Sequence, residues 1–210
     1  MALNRPFGLS PFMTLGQHTF NAAARRYCIP STDGSAFYIG DAVSQVSGAD
    51  ALGVPNVQKA IGAAASLRGV IVGVENPTVG GVSIQGTVID STITSVPATK
   101  TRAYYVYVVD DPDCLFLIQD DGITPAKIVA ASANMNATMT VAVPSIGYQL
   151  SGTVLTSNSF AAASPTFCLK AMGLAQAPVL PGGTANGFSP FAIWVVKINQ
   201  HDLMGARDGV

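Results

Sequence analysis

Apolar residues in this chain come in short blocks, broken every few residues by glycine, proline or aspartate. Val, Ile, Thr, Tyr and Phe dominate the blocks, which is the composition of β-strands. AARRYCIP (23–30) reads as a first strand, the turn STDGS follows, and FYIGDAV (37–43) reads as a second. NVQKAI (56–61), LRGVIVGVE (67–75), PTVGGVSIQGTVIDSTITSV (77–96), YQLSGTVL (148–155), TFCLKAMGLAQ (166–176) and FAIWVVKINQH (191–201) continue the pattern. Gly69 and Gly73 mark a bulge or a close backbone approach inside one run. Helix-favouring residues are scarce, with one glutamate and five lysines. Two segments, 51–67 and 124–135, leave room for one short helix at most. About ten evenly spaced strands predict an all-β fold, a jelly-roll-like or Greek-key β-barrel or sandwich. Residues 1–22, broken by Pro6 and Pro11, read as an extended N-terminal arm anchored by Phe7, Leu9, Phe12, Leu15 and Phe20. Residues 23–201 then form a single domain and 202–210 a frayed tail. The arm is expected to be dispensable for folding of the body and needed for assembly.

The stretch YYVYVVDDPDCLFLIQDDG (104–122) holds five of the eleven aspartates within twelve residues. Asp110, Asp111 and Asp113 close one apolar run, and Asp120 and Asp121 close the next. In DDPDC, Asp111 suits the first position of a type I turn, Pro112 the second and Asp113 the third. Asp121-Gly122 is a favoured hairpin dipeptide. The intervening strand holds the clusters ~17–20 Å apart, so they cannot share an ion within one protomer, and the calcium-loop pattern is absent. Turn chemistry is therefore the expectation, with a cation between subunits as the alternative. Between the clusters, Tyr104, Val106 and Val108 point one way and Tyr105, Tyr107 and Val109 the other. Such a strand is either buried on both faces, or has one face in the core and Tyr105 and Tyr107 against another chain.

Composition narrows the function classes. Apolar residues make up 49% of the 210 and charged residues only 11%, against about 25% in an ordinary domain. Such a chain must hide its surface from water, and a large oligomeric or assembly interface is one way to do it. No apolar run approaches the ~20 residues of a membrane-spanning helix, and no continuous apolar core suggests a signal peptide. The net charge of −1 and the lack of basic runs beyond Arg25-Arg26 argue against nucleic acid. Cys28, Cys114 and Cys168 read as buried free thiols. No zinc, phosphate-loop or dinucleotide motif occurs. Ser83 in GVSIQG misses the nucleophile-elbow pattern, and His18 and His201 have no local partner. The chain is therefore expected to be no enzyme and to hold no metal or cofactor. Arg5, Arg25 and Arg26 lie in an acid-free N-terminal stretch while residues 110–121 carry five acids and no base; such asymmetry can orient copies as they meet.

The segments PFGLSP, RRYCIPSTDGSAFYIGDAV, LRGVIVGVE, RAYYVYVVDDPDCLFLIQDDG, LSGTVL and AIWVVKINQH, in this order from about residue 6 to 201, resemble the structural cement (capsid decoration) proteins of tailed bacteriophages. Cys114, Cys168, the Ala-rich 60–66 segment and the long loop 177–190 depart from that pattern. The resemblance implies a β-barrel or jelly-roll body that sits on the outer surface of the assembled icosahedral head and bridges neighbouring capsomers. Its partners would be the major capsid protein and further copies of itself, a homodimer ahead of a homotrimer. It would be made in the host cytoplasm and located in the virion, without catalytic residues. A head–tail joining or tail component and a small carbohydrate-binding β-barrel are the alternatives.

Overall fold

The computed structural model describes residues 4–16, 18–61, 66–75, 95–144, 150–176 and 186–204. The fold is all-β, as the strand-like blocks predict. In chain order the strands are β1 (Ser10–Thr14), β2 (Arg25–Ile29), β3 (Phe37–Tyr38), β4 (Ala42–Ala49), β5 (Pro55–Lys59), β6 (Gly69–Val74), β7 (Ser95–Val96), β8 (Tyr104–Val109), β9 (Cys114–Gln119), β10 (Asn136–Ala137), β11 (Met139–Thr140), β12 (Val154–Leu155), β13 (Leu169–Leu174) and β14 (Ile193–Ile198). Strands β2, β5, β4, β6 and β8 close into a barrel, β8 pairing back onto β2. A second sheet runs β1-β9-β14-β13-β10, and β3 with β7 and β11 with β12 form small pairs.

Period-2 alternation sorts side chains into two cores. Tyr27, Ile29, Val43, Val57, Ile71, Val74, Val106 and Val108 fill the barrel, with Phe37 and Val96 from the β3–β7 pair. The opposite faces of the same strands contribute Ala42, Val70 and Val109 to a second core against the sheet, where Phe116, Ile118, Leu169, Trp194, Val196 and Ile198 meet them. Each large side chain removed from water here contributes about 1.5–3 kcal/mol. Gly69 allows the strands to close: a Cβ there would fall on the Val109 carbonyl oxygen. The bulge expected beside Gly73 lies between Ile71 and Gly73 in the β6–β8 pairing.

Two expectations change with the structure in hand, and one pairing that the sequence left open is settled. The segment 124–135 forms two one-turn 3-10 helices, Pro125–Lys127 and Ala130–Ser132, rather than an α-helix. Strands β8 and β9 follow each other but do not pair; one belongs to the barrel and the other to the sheet. Nor does Asp121-Gly122 make a hairpin. Gly122 adopts φ +66° and leads into the 3-10 turns, because β9 already has partners on both edges, β1 and β14. The strand expected within 77–94 and the first part of the 177–190 loop lie outside the described residues.

The N-terminal segment is extended but lies on the body. Leu9 is 1% exposed and belongs to the inter-sheet core. Its N–H donates to the Gly40 carbonyl at 2.9 Å. Gly8, at φ +73°, crosses the chain at Gly40, and any Cβ there would collide with the Gly40 carbonyl. Residues Ser10–Thr14 then pair with β9 as the sheet's edge strand. At the other end, Asp202 is tied down: its carboxylate accepts the Gln45 N–H at 3.2 Å and a short hydrogen bond from Ser66.

Replacing Leu9 with Ala is expected to cost about 2–5 kcal/mol, seen as a lower urea midpoint at unchanged m. Leu15→Ala, at a 42%-exposed position, is expected to change stability by less than about 0.5 kcal/mol. Equal, small effects at both positions would mean that the segment does not belong to the folded core.

Candidate functional site

The five aspartates serve the fold. The Asp111 carbonyl accepts the Cys114 N–H at 3.1 Å, and Asp111 Oδ1 accepts the Asp113 N–H at 2.9 Å, so DDPDC is the expected Asx-stabilised turn. Asp110 is buried and accepts the Tyr27 hydroxyl at 2.7 Å. Burial, then this hydrogen bond, pushes the Tyr27 phenol up to about 12. Asp113 is exposed and pairs with Lys197 at 3.2 Å. Asp120 is wholly buried. Its Oδ1 accepts the N–H of Gly122 at 2.8 Å and of Phe191 at 2.9 Å, and its Oδ2 the Trp194 indole N–H at 3.3 Å. Burial raises the Asp120 carboxyl above its ordinary value, against the pull of those donors. Asp121 caps the Ser157 turn through the Ser157 N–H at 3.2 Å and its hydroxyl. Among the described residues no group of three or more His, Cys, Asp or Glu converges on one point.

On the barrel exterior, Tyr105 and Tyr107 are half-buried while Val106 and Val108 face inward. The Arg26 guanidinium lies 3.6 Å over the Tyr105 ring and holds Glu75 through two bonds, at 2.6 and 3.0 Å. The Tyr105 hydroxyl donates to Asp50 at 2.6 Å, which, with burial, pushes it up to about 12. Arg25, 71% exposed at its side chain, lies 3.5 Å from Asp110. The N-terminal arginines and the acidic turn thus meet partly within one chain. Arg5 is exposed, and its backbone N–H donates to Gln119 at 2.9 Å.

The apolar residues of the N-terminal segment divide. Phe7, Leu9 and Phe20 line a groove of about 320 Å³ with Pro11, Ile39 and Leu150. Phe12 lies at the bulge of β1. Leu15 borders a second groove, of about 300 Å³, on the outer face of the sheet beside Met172 and Met204. Further apolar side chains stand in solvent on loops: Ile61 is 80% exposed, Ile123 and Val143 75%, and Leu52 67%. The three cysteines are buried free thiols, as expected, and burial pushes Cys114 to about 12 and Cys168 to about 11. These are inert groups.

The reading of the sequence missed a buried polar cluster where the chain end meets β6. His201 is 1% exposed and bridges in parallel register to Leu67. Its Nδ1 accepts the Leu203 N–H at 3.0 Å, which places the proton of the neutral ring on Nε2. Arg68 lies 3.8 Å from Asp202. Among the described residues neither His201 Nε2 nor Arg68 Nε has a hydrogen-bond partner. No local motif announces this cluster, since Arg68 is more than 130 residues from His201 and Asp202 in sequence.

No family model matches the chain, and neither a curated protein nor a solved structure matches it.

Burial, assisted by Arg68 and opposed by Asp202, Asp110 and Asp111, lowers the His201 pKa below 6.5 in the folded state. The folded chain therefore binds fewer protons at this site than the unfolded chain. Stability is fully present above pH 6.5 and is lost as pH falls from there through the folded value. Urea titrations above and below pH 6.5 are expected to show that loss, and His201→Gln to flatten it. A His201→Gln variant with the same pH profile would assign the loss to other groups.

Proposed function

We propose that this chain is a virion structural protein that binds the outer surface of an assembled icosahedral capsid and stabilises it by bridging neighbouring capsomers. Its partners are the major capsid protein and further copies of itself, and it works without catalysis or cofactor. The observation that carries the reading is the apolar exterior: Leu52, Ile61, Ile123 and Val143 project from separate loops at 67–80% exposure. Scattered apolar surface residues are ordinary, but here they accompany a chain with only 11% charged residues. Separate apolar tips suit many weak contacts with a repeating lattice, where avidity multiplies modest affinities. The ordered resemblance to phage cement proteins supports the same reading. The groove at Phe7 and Phe20 is lined mainly by apolar side chains, which suits a protein contact better than the convergent polar groups of a sugar site.

Purified protein mixed with expanded, undecorated heads is expected to co-sediment at a stoichiometry set by the lattice symmetry. Ile61→Asp and Ile123→Asp, at exposed positions, are expected to leave the urea midpoint within about 0.5 kcal/mol of the parent and to weaken co-sedimentation about tenfold or more each, the loss of one anchor contact. Heads that sediment without the protein would overturn the proposal. Binding confined to the portal vertex would turn it towards a joining component.

A further inference from the structure

The outward face of the five-stranded sheet is apolar where an uncovered antiparallel sheet would carry polar side chains. In β14 the inner residues Trp194, Val196 and Ile198 are buried, and Ile193, Val195 and Lys197 face away, half-buried. Leu117 of β9 and Met172 of β13 are likewise half-buried, and none of Ile193, Val195, Leu117 or Met172 belongs to either core. We propose that this face is the self-association surface of the chain, and that a second copy packs on it about a two-fold axis parallel to β14.

The register of the sheet supplies the argument. One row across the face reads Leu117 on β9, Val195 on β14 and Gly173 on β13; the next reads Leu115, Lys197 and Lys170. A two-fold axis along β14, between two sheets packed ~10 Å apart in the aligned manner, keeps each row at its own level and exchanges its ends. Val195 then meets Val195 of the second copy. Leu117 faces Gly173, where the missing side chain leaves open space: a Cβ there would meet nothing within 4 Å. Lys170, which has no ion pair among the described residues, faces the end of β9 where Asp113 stands 64% exposed at its side chain. Asp113 of each copy then lies between its own Lys197 and the Lys170 of the other, which offsets the approach of the two Lys197 ammonium groups. Knob meets notch and cation meets anion twice, from one operation.

The face is roughly 20 Å on a side in projection, from strand spacing and rise, so a pair buries on the order of 1,000 Å² in total, near the lower limit for specific interfaces. The dimer is therefore expected to dissociate on dilution. This inference deepens the self-association part of the proposed function; its test uses the isolated chain, so its failure and a failure of capsid attachment are separate results.

Analytical ultracentrifugation over a wide concentration range is expected to show a monomer–dimer equilibrium. Lys170→Glu and Asp113→Lys, each with unchanged circular dichroism and urea midpoint, are expected to be monomeric alone. An equal mixture of the two is expected to dimerise again. In the mixed pair the two substituted side chains, now of opposite sign, face each other, and the native Lys170 of one copy faces the native Asp113 of the other. Val195→Cys is expected to give a covalent dimer with a short bis-maleimide cross-linker, since facing Cα atoms of sheets ~10 Å apart are too distant for a direct disulfide. A parent chain that stays monomeric throughout would overturn the proposal. So would folded charge variants that dimerise as the parent does, or a mixture that fails to restore association.

Discussion

Asp110 to Asp113 carry the chain from the barrel into the sheet, and the rest of the architecture depends on that corner. Consecutive strands this close in sequence usually pair. Here β8 and β9 are apolar on both faces, and a shared hairpin would leave one face of each without cover. By separating, β8 puts Val106 and Val108 into the barrel and Val109 into the inter-sheet core, while β9 puts Phe116 and Ile118 there from the opposite side. The corner holds because its polar groups are satisfied locally, Cys114 N–H on Asp111 and the Tyr27 hydroxyl on Asp110. A buried carboxylate without such partners costs several kcal/mol.

The same logic operates at the far end of β9. Asp120 collects amides from Gly122 and Phe191 and the indole of Trp194. It thereby fixes a non-glycine residue, Phe191 at φ +66°, just before β14 begins. One carboxylate sets where β9 stops and how β14 enters the sheet beside it. The outward row of β14 owes its position to that placement.

The strand content, the DDPDC turn and the buried thiols were legible in the sequence because each follows from local chemistry: period-2 alternation, Asx hydrogen bonding, the apolar setting of each cysteine. Assignment of strands to barrel or sheet was not, since β2 pairs with β8 across nearly eighty residues and pattern alone gives no register over such distance. Leu9 reads as an arm residue for the same reason. Its burial depends on the crossing of Gly8 and Gly40, which no local periodicity encodes. The Arg26–Tyr105–Asp50 stack was half legible: alternation sets Tyr105 and Tyr107 on one face but does not say whether that face is covered, and their partners come from three separate strands and loops.

The scarcity of charge acquires a sharper meaning once the charges are placed. Lys100 is enclosed, donating to the carbonyls of Asp33 and Ser35 at 2.7 and 2.6 Å. Lys59 is paired with buried Asp41 at 2.9 Å. Arg26 and Glu75 bind each other with little exposure, and Arg68 and Asp202 do the same. Among the described residues, Asp33, Asp41, Lys59, Arg26, Glu75, Arg68, Lys100 and Asp202 are thus committed to locking loops and strands, as are the buried Asp110 and Asp120. The exterior is therefore poorer in charge than composition alone implies. Solubility of an isolated chain depends on surface charge; on the proposed reading, cover of the apolar tips and the sheet face by other molecules offsets this poverty, and charges left outside, Lys170 and Asp113 among them, weigh in how those molecules meet.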